Sequence, residues 1–363
     1  MRRTTTTMLL TVCVGAAATG CAHDTPTAPT PNGPALSVGN DVDIGSTGSH
    51  APYTIAVIGD TPYGDAKRVE FPSLVALING DPTVGLVVHV GDIKAGSNSP
   101  CTDEYFSAVK TLFAGFNDPL VYTPGDNEWT DCHVAGKNNG LYTPTERLQA
   151  VRDTFFPVAG QTLGGSPRHV LTEADDPANS TYAENTMWME SDVVFAALNI
   201  PGSNNDLASW GSPLPANATD YPSQAQERAS RAQANSAWLE KAFAIASENG
   251  ADGVVLSFQA DMWDPTSALS GYDELVRQIG DLAAAFHKPV LLLEGDSHIF
   301  RVDHPFSTGS PLFSMHPSTP VAENVTRLVV EGSAAGRTEY VRLTIHPKGT
   351  HAELFTFERV PLQ

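Results

Sequence analysis

The stretch Tyr53-Thr-Ile-Ala-Val-Ile-Gly-Asp60 decides the fold. It is an apolar run rich in β-branched residues that stops at Gly-Asp, the pattern of a buried strand delivering a carboxylate to its C-terminal end. The pattern recurs as Leu86-Val-Val-His-Val-Gly-Asp92, as Leu120-Val-Tyr-Thr-Pro-Gly-Asp126 and as Val290-Leu-Leu-Leu-Glu-Gly-Asp296. Open α/β sheets bind ligands at the carboxyl ends of their strands. Four aspartates delivered there point to one shared site.

Outward from these strands, apolar spacing predicts helices over residues 66–79, 103–116 and 145–156, with Pro72 breaking or starting the first. Strand, helix, strand, helix, strand is the order of α/β layering. Further strands are predicted at 193–200 and 253–258, and helices at 224–249 and 272–287. Residues 128–142 read as a polar loop and 157–190 as irregular. Residues 201–223 form a long loop in which Trp210 is a candidate rim or lid. Three closing strands at 326–331, 340–346 and 353–357, with no helix between them, predict an antiparallel finish to a second sheet.

The chain of 363 residues carries a formal net charge of -20. That acidity disfavours nucleic acid and anionic membranes as partners, since both require basic surface. Carboxylates clustered around a cation account for part of the excess. The N-terminus reads as a secretory leader over residues 1–21: Met1-Arg-Arg, a short apolar region, then Ala18-Thr-Gly-Cys21. The small residues before Cys21 resemble a bacterial lipobox, which would lipidate Cys21 and anchor an exported protein in the cell envelope. A cysteine near an ordinary cleavage site is the alternative. Residues 22–50, rich in Thr, Pro and Gly, read as a flexible tether, which leaves 51–363 as the folded domain. Cys101 and Cys132 are expected to pair outside the cytoplasm and to staple the loops after Asp92 and Asp126.

Clustered like charges are costly unless cations neutralise them. Hard oxygen ligands with one or two nitrogens suit Mn, Mg, Fe or Zn, and a pair of such ions can clamp a phosphoryl group. Lys94, two residues after Asp92, reads equally as a phosphate ligand and as a surface lysine. Arg147 and Arg152 read as a solvated helix face before phosphate ligands, and His89 as a satisfied core histidine.

The order Gly-Asp60, Gly-Asp92, Gly-Asp126-Asn-Glu, a strand, then Gly-Asp296-Ser-His298 resembles the calcineurin-like metallophosphoesterases, including the purple-acid-phosphatase branch. The resemblance implies a four-layer α-β-β-α sandwich of two mixed sheets. It implies two divalent ions (Mn, Fe, Mg, Ca or Zn), a small phosphorylated substrate, and in-line attack by a metal-bridged hydroxide. Carried over residue by residue, it implies Asp60, Asp92 and His298 around one metal. Asp92, Asp126, Asp296 and Gln259 would surround the other. Asn127 stands where the family has the histidine that helps protonate the leaving group, which an amide cannot do. Asn127 or Lys94 would therefore contact the phosphate, Lys94 is the candidate for the missing acid, and Glu128 would orient its neighbour. The sequence departs from the family at Pro62, Asn127, Gln259 and Asp296, where histidines are expected. Tyr63 lies near the first block, but the family's tyrosine belongs to the second, where Ala95 stands.

These departures leave a second reading open, a catalytically weak or silent binding protein on the same fold. A serine hydrolase finds no support, because no Gly-x-Ser-x-Gly elbow follows a strand.

Overall fold

The computed structural model describes residues 51–96, 99–134, 141–346 and 348–363. The leader, Cys21 and the tether lie outside the described residues. In chain order the strands are β1 (Tyr53–Ile58), β2 (Val84–His89), β3 (Pro119–Tyr122), β4 (Leu163–Gly164), β5 (Leu171–Thr172), β6 (Thr186–Glu190) and β7 (Val193–Ala197). They continue as β8 (Gly253–Ser257), β9 (Val290–Glu294), β10 (Arg301–Asp303), β11 (Val325–Val329), β12 (Glu339–Ile345) and β13 (Phe355–Pro361).

They form two mixed sheets. One has the order β13-β12-β1-β2-β3-β4, and the other β10-β11-β9-β8-β7-β6-β5. β1, β2 and β3 run parallel, as do β7, β8, β9 and β11. Alternate side chains of β1 face opposite ways. Ile55 and Val57 join Val88, Phe195, Val255 and Leu291 in a core shared by the two sheets. Ala56 and Ile58 point outward, against Phe71, Leu74, Phe106 and Phe113 of the flanking helices. Burial on both faces explains why these strands read as continuous apolar runs rather than as alternation. Each such fully buried side chain contributes about 1.5–3 kcal/mol.

Helices Gly64–Asn79, Asp103–Phe113 and Pro144–Phe155 cover the first sheet. Thr102 caps the second of them by accepting from Tyr105 N. Pro72 sits inside the first helix and does not break it. It is exposed, and the helix lacks there the one hydrogen bond that a proline cannot donate. The long helix Gln224–Glu248 starts at a capping box between Ser223 and Gln226. It lies on the second sheet, with Trp238 Nε1 donating to Thr186 O and Asn235 Nδ2 to Asn199 O. No helix among the described residues is long and apolar enough to cross a membrane.

Several expectations are corrected. The closing strands do not finish one sheet: β11 pairs parallel to β9, whereas β12 and β13 add to the first sheet antiparallel beside β1. Residues 157–190 are not uniformly irregular, since β6 pairs with β7 as an antiparallel hairpin. Trp210 is no lid: it is buried, and its Nε1 donates to Asp206 Oδ1 at 2.7 Å. Arg147 and Arg152 do not form a solvated face. Arg147 is buried, donating to Cys101 O and Asp103, and Arg152 grips both carboxylate oxygens of Glu184.

Candidate metal centre

The four Gly-Asp turns meet at the carboxyl ends of β1, β2, β3 and β9, where the two sheets come together. Asp60, Asp92 and Asp296 adopt left-handed backbone, with φ of 51°, 57° and 68°, and His298 does so at 59°. L-residues rarely occupy this region, and aspartate tolerates it better than most. Such strain collects at functional sites, where the surrounding structure must hold it.

Two overlapping groups of side chains result. In the first, the Tyr63 hydroxyl lies 3.2 Å from Asp60 Oδ1, 3.0 Å from Asp92 Oδ2 and 3.4 Å from His298 Nε2. His298 Nε2 is itself 3.4 Å from Asp60 Oδ1. Its Nδ1 is buried without a hydrogen-bond partner among the described residues. In the second group, carboxylate oxygens of Asp92, Asp126 and Asp296 all lie within 4.8 Å of one another. Asp92 belongs to both.

Gln259 does not present a ligand oxygen to the second group. Its Oε1 accepts from Gly202 N, and its Nε2 donates to Asp126 Oδ1 at 3.3 Å. It is buried and orients the carboxylate. Tyr63 is the residue that sequence reasoning set aside and the fold brings in. Its position three residues after Asp60 was the available signal.

Beneath these groups the predicted neighbours act as supports. The Glu128 carboxylate accepts from Asp92 N, Ile93 N, Gly125 N and the Tyr122 hydroxyl, so it ties the second and third turns together. Asn127 donates through its backbone N to Asp92 Oδ1 at 3.1 Å and through Nδ2 to Asp92 Oδ2 at 2.6 Å. Lys94 is not a surface lysine: it is fully buried, and Nζ donates to Ala95 O and Asn127 O at 2.8 and 2.9 Å. Its ammonium therefore faces backbone carbonyls under the site, which makes it a positioning group for Asn127 rather than a phosphate contact. Cys101 and Cys132 form a disulfide, and both sulfurs lie against the same Asn127 carbonyl, at 3.7 and 3.6 Å. His89 is buried, accepting from Gly91 N and donating to Thr61 O, and burial lowers its pKa to about 4.

A second feature was invisible in the sequence. After β7, Ser203, Asn204, Asn205 and Asp206 all take left-handed backbone, with φ from 50° to 59°. Each costs roughly 1–2 kcal/mol, and the surroundings hold them. Arg231 donates to Asn205 Oδ1 and O, Gly271 N to Asn204 Oδ1, and Ser203 Oγ reaches Asp126 Oδ2 at 2.9 Å and Asp131 Oδ1 at 2.7 Å. The turn thus walls the second group.

The electrostatics ask for cations. Burial, reinforced by mutual repulsion, raises Asp60, Asp92 and Asp296 well above the usual carboxylate range and pushes Asp126 to about 7. The backbone also closes on the carboxylates where no methyl group would fit. A Cβ on Gly125 would stand 2.1 Å from Asp92 Oδ1, and one on Gly295 would stand 2.5 Å from Asp60 Oδ2. One on Gly202 would stand 2.6 and 2.9 Å from Asp126 and Asp296 Oδ2. The donor set of four carboxylates, a phenol and an imidazole suits two divalent cations sharing Asp92.

No protein-family model matches the sequence, and no curated protein matches it. Among solved structures, GAP50, the anchor in the inner membrane complex of Plasmodium, is similar at 12% identity and a TM-score of 0.41, over 86% of this chain and 89% of that one. The Thermus thermophilus sulfate thiohydrolase SoxB, in complex with glycerol, is similar at 14% identity and a TM-score of 0.39. That likeness spans 80% of this chain and 42% of SoxB, less than half of its length. Both TM-scores lie below 0.5, and the functional reading rests on the residues of the site.

Proposed function

We propose that the protein is a metal-dependent phosphoesterase on a metallophosphoesterase-type α-β-β-α sandwich, exported and held at the cell envelope through its leader cysteine. The observation that carries the reading is the convergence of four strand-end aspartates, three of them buried and Asp296 half-buried, with Tyr63 and His298 on two positions that share Asp92. Two divalent cations bound there would supply charge neutralisation for a phosphoryl group and activation of water near neutral pH.

The chain's own residues do the rest. Asp60, Tyr63, Asp92 and His298 would hold one cation, and Asp92, Asp126 and Asp296 the other. Asn127 Nδ2, beside Asp92, offers a donor to a phosphoryl oxygen. An amide cannot protonate a leaving group, so esters whose alcohol departs without a proton, such as aryl phosphates, suit the site better than alkyl phosphates.

The test is hydrolysis of 4-nitrophenyl phosphate and an alkyl phosphate by metal-stripped protein supplied with single divalent metals. Metal-dependent turnover of the aryl ester that Asp92→Asn abolishes, with the fold retained, is the expected result. Turnover without metal, or unchanged in Asp92→Asn, overturns it. Metal binding without turnover favours the binding-protein reading.

A further inference from the structure

We propose that the two positions of the centre are built for different ions. The Asp92–Asp126–Asp296 position would take an alkaline-earth ion, and the Asp60–Tyr63–Asp92–His298 position a transition ion. The inference rests on the metal centre of the phosphoesterase reading and deepens it.

The donors divide unequally. His298 Nε2 and the Tyr63 hydroxyl gather on Asp60 and on Asp92 Oδ2. Among the described residues, no histidine or cysteine belongs to the three-carboxylate group of Asp92, Asp126 and Asp296. The nearby polar groups there include a hydroxyl, Ser203 Oγ on Asp126, the Asn127 amide, which donates to Asp92, and the Gln259 amide, whose oxygen is already engaged by Gly202 N. Imidazole suits Fe or Zn, whereas a set of carboxylate oxygens suits Mg, Ca or Mn.

Charge supports a second divalent ion at that position. Asp60, Asp92 and Asp126 are buried and Asp296 is half-buried, and four ionised carboxylates are balanced by two divalent ions. One ion alone would leave two of the clustered carboxylates uncompensated.

The number of carboxylates favours calcium over magnesium. Calcium accepts six to eight oxygens and bidentate carboxylates. Oxygens of the three carboxylates lie within 4.8 Å of one another, close enough for one ion to engage all three. Magnesium keeps most of its water and draws on only one or two carboxylates. The wall is also rigid: Gly202 leaves no room for a Cβ against Asp126 and Asp296, and the left-handed residues after it are tied to Arg231 and Gly271.

The test is elemental analysis of the metal-stripped full chain after incubation with equal Mn, Fe, Zn, Mg and Ca, followed by desalting. One transition ion and one alkaline-earth ion per chain is the expected result, with calcium retained over magnesium; magnesium retained in its place overturns the assignment of calcium. Asp126→Asn and Asp296→Asn should each weaken alkaline-earth retention at least tenfold and keep the transition ion. His298→Ala should do the reverse. A wild-type measurement guards against variants that fail to fold: terbium bound to the chain should be displaced by calcium and not by zinc. Two transition ions per chain, or displacement of terbium by zinc, overturns the inference and leaves the phosphoesterase reading standing. Retention of no ion overturns both.

Discussion

The Tyr63 hydroxyl donates to Asp92 Oδ2 at 3.0 Å across 29 positions of sequence. The same oxygen reaches Asp60 and His298, so one phenol joins the first, second and last blocks of the site. Its ring also packs edge-on against His298, with centroids 5.2 Å apart.

Tyr63→Phe keeps that ring contact and deletes only the hydroxyl. The fold should survive, while transition-metal affinity and metal-dependent turnover fall by at least about 10–100-fold, the range for losing even a partner of a metal ligand. Calorimetric titration with manganese and steady-state kinetics check this. Wild-type values in both would show that the hydroxyl contributes nothing to the centre.

Arg231 is buried under the left-handed turn, forked onto both Glu227 oxygens at 2.8 and 3.1 Å and over the Trp129 ring at 5.5 Å. Arg231→Met leaves the buried Glu227 without its cation and the turn without its clamp. Breaking such a pair costs about 3–5 kcal/mol. A large drop in the urea midpoint is expected, with Arg231→Lys in between because it keeps the charge and loses the fork. A midpoint equal to wild type would remove Arg231 from the support of the site.

The Cys101–Cys132 bridge spans 31 positions. Loop-closure entropy for that length is worth roughly 3–4 kcal/mol. The double replacement by serine should lower the melting temperature by that equivalent. It should also weaken metal retention, since the bridge backs the Asn127 carbonyl. Calorimetry and elemental analysis with and without reductant measure both. Unchanged metal content in the reduced protein would limit the bridge to stability alone.

The pH dependence of the metal-free protein follows from its buried carboxylates. Asp60, Asp92 and Asp296 are raised well above the usual range and Asp126 to about 7. In the unfolded chain they ionise near pH 4. Between about pH 4 and 7 the unfolded chain therefore binds fewer protons than the fold, and stability falls as pH rises. Glu173 and Asp206, each raised by burial to about 7, and the buried Glu128 and Glu294 act in the same sense. His89, lowered to about 4, and His298 and His346, also lowered by burial, act in the opposite sense. The melting temperature in chelator should be lower at about pH 7.5 than at about pH 5.5. Saturating cation should reverse the slope, because ligands bind ionised. Scanning calorimetry across this range decides it: a rise with pH in chelator would mean the carboxylates are not the controlling groups.

The strands that carry the centre were readable because burial on both faces leaves an unbroken apolar run, and Gly-Asp marks where each run ends. Residues 53–58, 84–89, 119–122 and 290–294 all lie where the pattern places them. The strand Thr186–Glu190 was not readable. It is five residues long, follows a Gly- and Pro-rich stretch, and gains its identity from pairing with β7. The sheet membership of β11, β12 and β13 was equally hidden, since hydrogen-bond partners are chosen in space and not by order along the chain.

The α/β character, the four strand-end aspartates and the pair of cysteines are legible in the order of residues. Each is a local matter of apolar run, turn residue or residue type. Tertiary structure alone decided that Tyr63 turns inward, that Gln259 spends its oxygen on Gly202, that Lys94 lies under the site, and that Ser203 to Asp206 wind left-handed. These depend on hydrogen bonds between groups far apart in sequence, and no local propensity records them.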